Sequence, residues 1–363
     1  MPTIADLPTP TLLVDLDVLE SNLRTMQERC DRLGVTLRPH VKTHKCVEIG
    51  RMQLAAGARG ITVATLEEAR AFADAGFDDL TWAFPVIQGR LHEAIALSER
   101  AVLRLLVDSA AAIDALEAAG HPFPVWLEVD CGDHRSGVDP DDGAAVALAR
   151  RLRDSTVLAF DGILTHSGHA YHARSSAERA AIAAEERDVM TDFAARLRAE
   201  GILVAGVSVG STPAMTAADD LTGVTEARPG NYAYFDATQV ALGSCAVADC
   251  ALTVMSSVVS SAAAGRSVVD AGALALSKDR GLGDGHAPSM GAIYADYEAK
   301  TIRGDARLVS LSQEHGQVDA ALPIGERVRI LPNHSCLTAA CFDAVHAVRG
   351  EEVVDVWRVR RER

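Results

Sequence analysis

The chain has 363 residues, 48% hydrophobic and 23% charged, an ordinary globular composition long enough for one large or two medium domains. A formal net charge of -15 argues against nucleic acid or an anionic membrane surface as partner, and its seven cysteines form no CxxC pair and do not look like a disulfide framework. No signal peptide is visible at Met1-Pro2-Thr3-Ile4, and every apolar run falls short of the ~20 residues of a membrane helix, so a soluble cytoplasmic protein is expected.

In chain order, Thr11-Leu12-Leu13-Val14 reads as a strand, and Val18, Leu19, Leu23, Met26, Cys30 and Leu33 recur at helical spacing up to Gly34. Short apolar strands then fit residues 35–37, 60–64, 80–84, 103–107, 125–129, 162–165, 204–209 and 224–227. Most are separated by helical patterns, among them 47–56, 66–75, 88–98, 109–119, 141–153 and 175–200. Eight strands alternating with helices predict a parallel sheet closed as a (β/α)8 TIM barrel. An open doubly wound sheet competes, but no GxGxxG follows the first strand. Near residue 240 the pattern changes to period two, as in Leu252, Val254, Ser256 and Val258, with further short strands at 268–272, 328–331 and 353–357. The expected organisation is an α/β barrel over 16–240 and a mostly antiparallel β domain over 241–363, joined by residues 1–15.

Reactive groups of such a barrel gather where strands run into the following loops. Arg38-Pro39-His40-Val41-Lys42-Thr43-His44-Lys45 follows the first barrel strand. Lys42 suits a Schiff base with a carbonyl cofactor or substrate, with Arg38, His40, His44 and Lys45 as a cationic field that leaves some neutral amine. Taken alone, the stretch also reads as a solvated basic loop. Polar clusters follow four more strands: Asp130 to Gly137, Thr165 to His172, Gly210-Ser211-Thr212 and Arg228 to Tyr232. The Gly-Ser-Thr and Gly230-Asn231-Tyr232 loops suit a phosphate, since glycine lets backbone N–H groups approach an anion and hydroxyls add donors. Either loop alone is equally an ordinary turn. A phosphate site and a strand-end lysine on one barrel point to pyridoxal 5'-phosphate (PLP).

His334 and Cys336 carry a second signal, in Pro332-Asn333-His334-Ser335-Cys336 after an apolar strand. In an extended segment, side chains i and i+2 face the same way, and an imidazole with a thiolate suits Zn²⁺. The bland alternative is a histidine beside a buried structural cysteine. Glu314-His315 offers a partner for the imidazole, or caps a turn.

These stretches together resemble the D-serine dehydratase-like/D-threonine aldolase family, metal-assisted PLP enzymes related to alanine racemase. The resemblance runs through TPTLLVDLDVLESN, RPHVKTHK, DCGDHRSGV, THSGHAYH, VSVGSTP, TEARPGNY, LSQEHG and PNHSC, nearly the whole chain. It implies a PLP barrel with a C-terminal β domain, usually in a homodimer. Lys42 would carry the cofactor, with His40, Tyr171 and Tyr232 beside it, Arg135 on the phenolic oxygen and Arg228 at the pyridine nitrogen. Gly210, Ser211, Thr212, Gly230 and Asn231 would hold the phosphate. His334 and Cys336 would bind the divalent metal (Zn²⁺, with Mn²⁺ or Co²⁺ as alternatives), and His169 and Tyr171 would sit near a D-amino acid substrate.

The cysteine of the His-x-Cys motif favours the dehydratase form over the His-x-Asp of aldolases. The expected reaction eliminates water from a D-β-hydroxy amino acid, such as D-serine, D-threonine or 3-hydroxyaspartate, to a 2-oxo acid and ammonia. Lys42 would be the base at Cα and the metal a Lewis acid for the departing hydroxide. The alternative is retro-aldol cleavage to glycine and an aldehyde, with His169 or metal-bound hydroxide as base. A racemase, needing a second base such as Tyr294 or Tyr297, and a non-catalytic PLP carrier are further alternatives.

Overall fold

The structure, a computed structural model, describes residues 2–261, 264–281 and 289–362. Two compact units divide it: Met26–Lys42 with Gly50–Gly230 and the last two residues, and Met1–Thr25, Thr43–Ile49 and Asn231–Arg361.

Strand β1 (Thr11–Asp15) precedes eight parallel strands: β2 (Thr36–Leu37), β3 (Ile61–Val63), β4 (Asp79–Pro85), β5 (Val102–Val107), β6 (Pro124–Glu128), β7 (Ala159–Leu164), β8 (Gly206–Val209) and β9 (Glu226–Ala227). Their order is β2-β9-β8-β7-β6-β5-β4-β3, and a parallel bridge between His40 and Thr62 joins the two ends. The expected eight-stranded barrel is therefore present, and its helices include Leu66–Asp74, Leu91–Ser98, Ala110–Ala119, Gly143–Asp154 and Ser176–Ala199. Local chemistry sets their ends. Thr65 Oγ1 accepts from Glu68 N–H at 3.1 Å to start one helix, and Gly120 at φ +67° closes another in the left-handed region. Where β7 meets β8 the backbones come so close that a Cβ on Gly162 (φ +146°) would lie 2.0 Å from Gly206 O. The room over Gly206 is taken by Trp126, which clusters with Leu106 and Leu164 of the flanking strands.

A charged network crosses the barrel. Arg38 Nε donates to Glu226 at 2.6 Å and its Nη1 to Asp79 at 2.7 Å; Arg104 pairs with Asp79 and with Asp161 at 2.6 Å. These residues come from strands that are not all neighbours, so their side chains meet inside. Arg38 is thus neutralised by carboxylates, which corrects the expectation that it adds to the cationic field around Lys42.

In the other unit, strands β10 (Leu252–Ser260), β11 (Ser267–Val269), β12 (Ala292–Asp296), β13 (Thr301–Leu311), β14 (Gly316–Val318) and β15 (Arg327–Leu331) close on themselves in the order β10-β11-β14-β13-β12-β15. All these pairings are antiparallel, as expected for a mostly antiparallel β domain. β1 lies antiparallel to β10 and parallel to β16 (Ala344–Arg349), and β17 (Glu352–Arg358) forms the edge. No helix among the described residues is long and apolar enough to cross a membrane.

Candidate active site

In the barrel unit the lysine turn leaves β2 at Pro39, whose carbonyl accepts Thr62 N–H at 2.8 Å. Val41–Thr43 forms one 3-10 turn, and Lys42 N–H donates to His40 Nδ1 at 3.4 Å. Lys42, Arg135 and Arg228 all bear on one half-buried imidazole, His166. Burial first, then these three cations, push its pKa well below the usual histidine value, so His166 is a neutral imidazole at physiological pH. His166 was not foreseen as a site residue; its neighbour His169 was.

Arg228 is buried, with Nη1 on Ser208 Oγ and Nη2 on the Thr165 carbonyl. Ser208 in turn donates to Glu226 at 2.7 Å. Arg135 is exposed, 4.0 Å from both Glu128 and Asp133. Its loop is folded by Asp130, which accepts the N–H groups of Gly132 and His134 at 2.9 and 3.0 Å. That loop lies against the next one. A Cβ on Gly168 would collide with Asp133, and one on Gly132 would touch the His169 ring at 3.6 Å. His169 Nδ1 and Glu128 Oε2 are buried without a hydrogen-bond partner among the described residues. Burial raises the Glu128 pKa. Tyr171 is half-buried in the short helix Gly168–His172.

Gly210, Ser211 and Thr212 are all buried after β8. Gly210 N–H is committed to Glu186 Oε1 at 2.9 Å, while Ser211 Oγ lies 3.2 Å from Ser167 Oγ. Glu186, a buried carboxylate on the helix Ser176–Ala199, also bonds Ser167, and so ties the loops after β7 and β8 together. Nothing in its sequence neighbourhood marks it, because it lies in a run of charged helix residues. Gly230 ends the barrel unit and is buried.

In the β unit, Asn231 and Tyr232 are buried in one 3-10 turn. Asn231 Nδ2 donates to Asp236 at 2.6 Å and to Ser335 Oγ at 3.0 Å. Asp236 also accepts Ser335 N–H at 2.9 Å, which fixes the residue between His334 and Cys336. The same aspartate caps the helix Ala237–Ala241 by accepting Gln239 N–H at 3.0 Å. His334 is extended, but Cys336 belongs to the short helix Ser335–Ala339, so the pair does not share one extended strand as expected. Their side chains nevertheless interact directly. His334 Nδ1 pairs with Asp279 Oδ2 at 2.6 Å, and Cys336 Sγ lies 3.2 Å from Thr43 Oγ1. The carboxylate on the imidazole is Asp279; Glu314 is exposed and accepts from Gln313 instead. No cluster of three or more His, Cys, Asp or Glu suited to a metal occurs among the described residues, so protein ligation here would rest on two side chains.

Comparison with known proteins gives two family matches. A model described as "Alanine racemase, N-terminal domain" matches residues 14–238, and one described as "Putative serine dehydratase domain" matches 251–348. The chain is similar to D-threo-3-hydroxyaspartate dehydratase of Delftia sp. (strain HT23), 40% identical over 98% of each chain. It is also similar to D-serine dehydratase of Dictyostelium discoideum (33%, 97% of this chain and 96% of the other) and to D-threonine aldolase of Arthrobacter sp (32%, 98% and 93%). A solved D-threo-3-hydroxyaspartate dehydratase, a cysteine-to-alanine mutant in the metal-free form, superposes with TM-score 0.94 at 40% identity over 99% of both chains.

Proposed function

Since the chain belongs to the D-serine dehydratase-like family built on an alanine racemase N-terminal domain, we propose that it is a PLP- and divalent-metal-dependent lyase that removes water from a D-β-hydroxy amino acid. D-threo-3-Hydroxyaspartate is the first candidate substrate and D-serine the second, giving oxaloacetate or pyruvate with ammonia. The observation that carries the reading is the His334–Cys336 pair with Asp279 on the imidazole. A carboxylate on Nδ1 fixes the ring and its tautomer and leaves Nε2 as the donor, the arrangement that supports a ligating histidine. The soft-borderline donors suit Zn²⁺, with Mn²⁺ or Co²⁺ as substitutes. The metal-free cysteine mutant of the relative fits this assignment.

Lys42 is the residue to hold PLP, with Arg228 at its ring nitrogen, Arg135 toward its phenolic oxygen, and Ser211 and Thr212 with the Gly230-Asn231 backbone at its phosphate. When bound, PLP supplies an electron sink for a carbanion at Cα, and the metal a Lewis acid for the β-hydroxyl. The protein's own part is to orient and to move protons. Lys42 would take the Cα proton once the substrate's amino group has displaced it and freed its amine. Arg228, held by Ser208 and the Thr165 carbonyl, keeps its guanidinium fixed and protonated, so it gives no proton to a ring nitrogen. His166 stays neutral among cations and so adds no charge beside the lysine. His169, whose buried Nδ1 has no hydrogen-bond partner among the described residues, is the group we assign to the substrate.

Retro-aldol cleavage is the second reading, favoured by the 32% identity to a D-threonine aldolase and by His169 as an available base. A product assay separates the two. Purified protein with PLP and Zn²⁺ or Mn²⁺ should release ammonia and a 2-oxo acid from D-threo-3-hydroxyaspartate or D-serine, and EDTA should abolish the release. Glycine plus an aldehyde would move the chain to the aldolases.

A further inference from the structure

Among the buried polar groups of the RPHVKTHK stretch to which the proposed chemistry gives no role is the hydroxyl of Thr43. Thr43 is fully buried, and its Oγ1 lies 3.2 Å from Cys336 Sγ. A second donor, Asn231 Nδ2, approaches the same sulfur more distantly, at 3.7 Å. Either atom of the Thr43–Cys336 pair could donate while the sulfur carries its proton. Metal ligation removes that proton, because the thiolate is the ligand. The sulfur can then only accept, and Thr43 becomes the donor.

We propose that Thr43 is a positioning residue for the metal site: its hydroxyl donates to the Cys336 thiolate, fixes the sulfur's orientation and tempers how strongly it donates to a divalent cation. This rests on the reading of His334 and Cys336 as metal ligands. A hydrogen bond to a thiolate draws on the lone pair that would otherwise go to the metal. The ion keeps more of its positive charge and is a stronger Lewis acid toward a hydroxyl. Threonine suits the position because its methyl group packs in a fully buried site while its hydroxyl reaches the sulfur. Valine keeps the branched shape and loses the donor; serine keeps the donor and loses the methyl.

The test uses full-length wild type, Thr43→Val, Thr43→Ser and Cys336→Ser, each stripped of metal and titrated with Co²⁺ and with Zn²⁺ against a chromogenic chelator. Wild type with Co²⁺ should show a thiolate-to-cobalt charge-transfer band. Thr43→Val should move that band to lower energy, because the sulfur lone pair is no longer stabilised, and should weaken Zn²⁺ binding about 10–100-fold, because losing the sulfur's fixed orientation costs more than its stronger donation gains. Thr43→Ser should restore both. Should the valine variant fail to fold by circular dichroism, Thr43→Ala removes the same hydroxyl and is read the same way. An unchanged band and affinity without the hydroxyl overturns the inference and leaves the metal reading standing. A wild type without the band, or Cys336→Ser with the band intact, overturns the metal reading and this inference with it.

Discussion

Single side chains inside the barrel hold charges that the bulk numbers do not suggest. Burial alone would raise the Asp79 pKa, but Arg38 and Arg104 overcome it and hold that carboxyl below its usual range. Arg38 also carries Glu226, a nearly buried partner at 2.6 Å. Removing one member of such a pair strands the other, so Arg38→Met should cost about 3–5 kcal/mol at neutral pH. The sign with pH follows from the groups left behind. In wild type a depressed Asp79 contributes fully above its unfolded value, near pH 4, and that contribution is lost as the pH falls through its folded value. In the variant the part of that contribution due to Arg38 is missing, so the deficit relative to wild type should shrink as the pH falls below about 4. Thermal melts of both proteins from pH 7 to pH 3 check this, and a deficit constant with pH would show that Arg104 alone holds Asp79 as low as the two arginines do together.

At the scale of elements, the barrel was legible because its strands are short runs of β-branched and aliphatic residues and its chemistry lies in the loops after them. β13 was not legible. Arg303, Asp305 and Arg307 alternate through it, because much of the strand faces solvent and pairs charges with Glu326 and Asp319. The ligand motif was readable as His-x-Cys, whereas its supports were not: Asp279 and Thr43 reach it from 55 and 293 residues away in the chain. The same holds for Glu186, whose role comes from lying across two loops. Burial raises its pKa, so the folded chain holds the proton to higher pH than the unfolded one, and stability falls as pH rises above the ordinary glutamate value. Glu186→Gln keeps an acceptor for Gly210 N–H and should flatten that slope. Glu186→Ala should cost about 1–3 kcal/mol by leaving buried donors without an acceptor. Melting temperatures between pH 4 and 8 distinguish the two variants.

For the molecule as a whole, the β unit is discontinuous, and β1 is the clearest consequence. All five of its residues are buried, and it lies between β10 and β16 rather than at an edge. Leu13 ↔ Thr253 on one side and Leu13 ↔ His346 on the other are pairings across some 240 and 333 positions of chain. A Pro or polar residue is tolerated at a sheet edge; a missing central strand leaves two unpaired ladders and an open hydrophobic face. Leu13 packs with Met255, Val348 and Val353, and truncating one buried leucine costs about 2–5 kcal/mol, a large part of a typical folding free energy. A chain that begins at Leu16 should therefore not form a soluble β unit, even though every candidate metal ligand and every candidate PLP contact is still present in it. Adding the peptide of residues 1–15 during refolding should recover folded protein, because the vacated ladders accept that strand in one register only. Far-UV circular dichroism and sedimentation of the truncated chain, with and without the peptide, measure this. A truncated chain that melts like wild type would mean that β10 and β16 close directly on each other and that the N-terminal strand only covers the sheet.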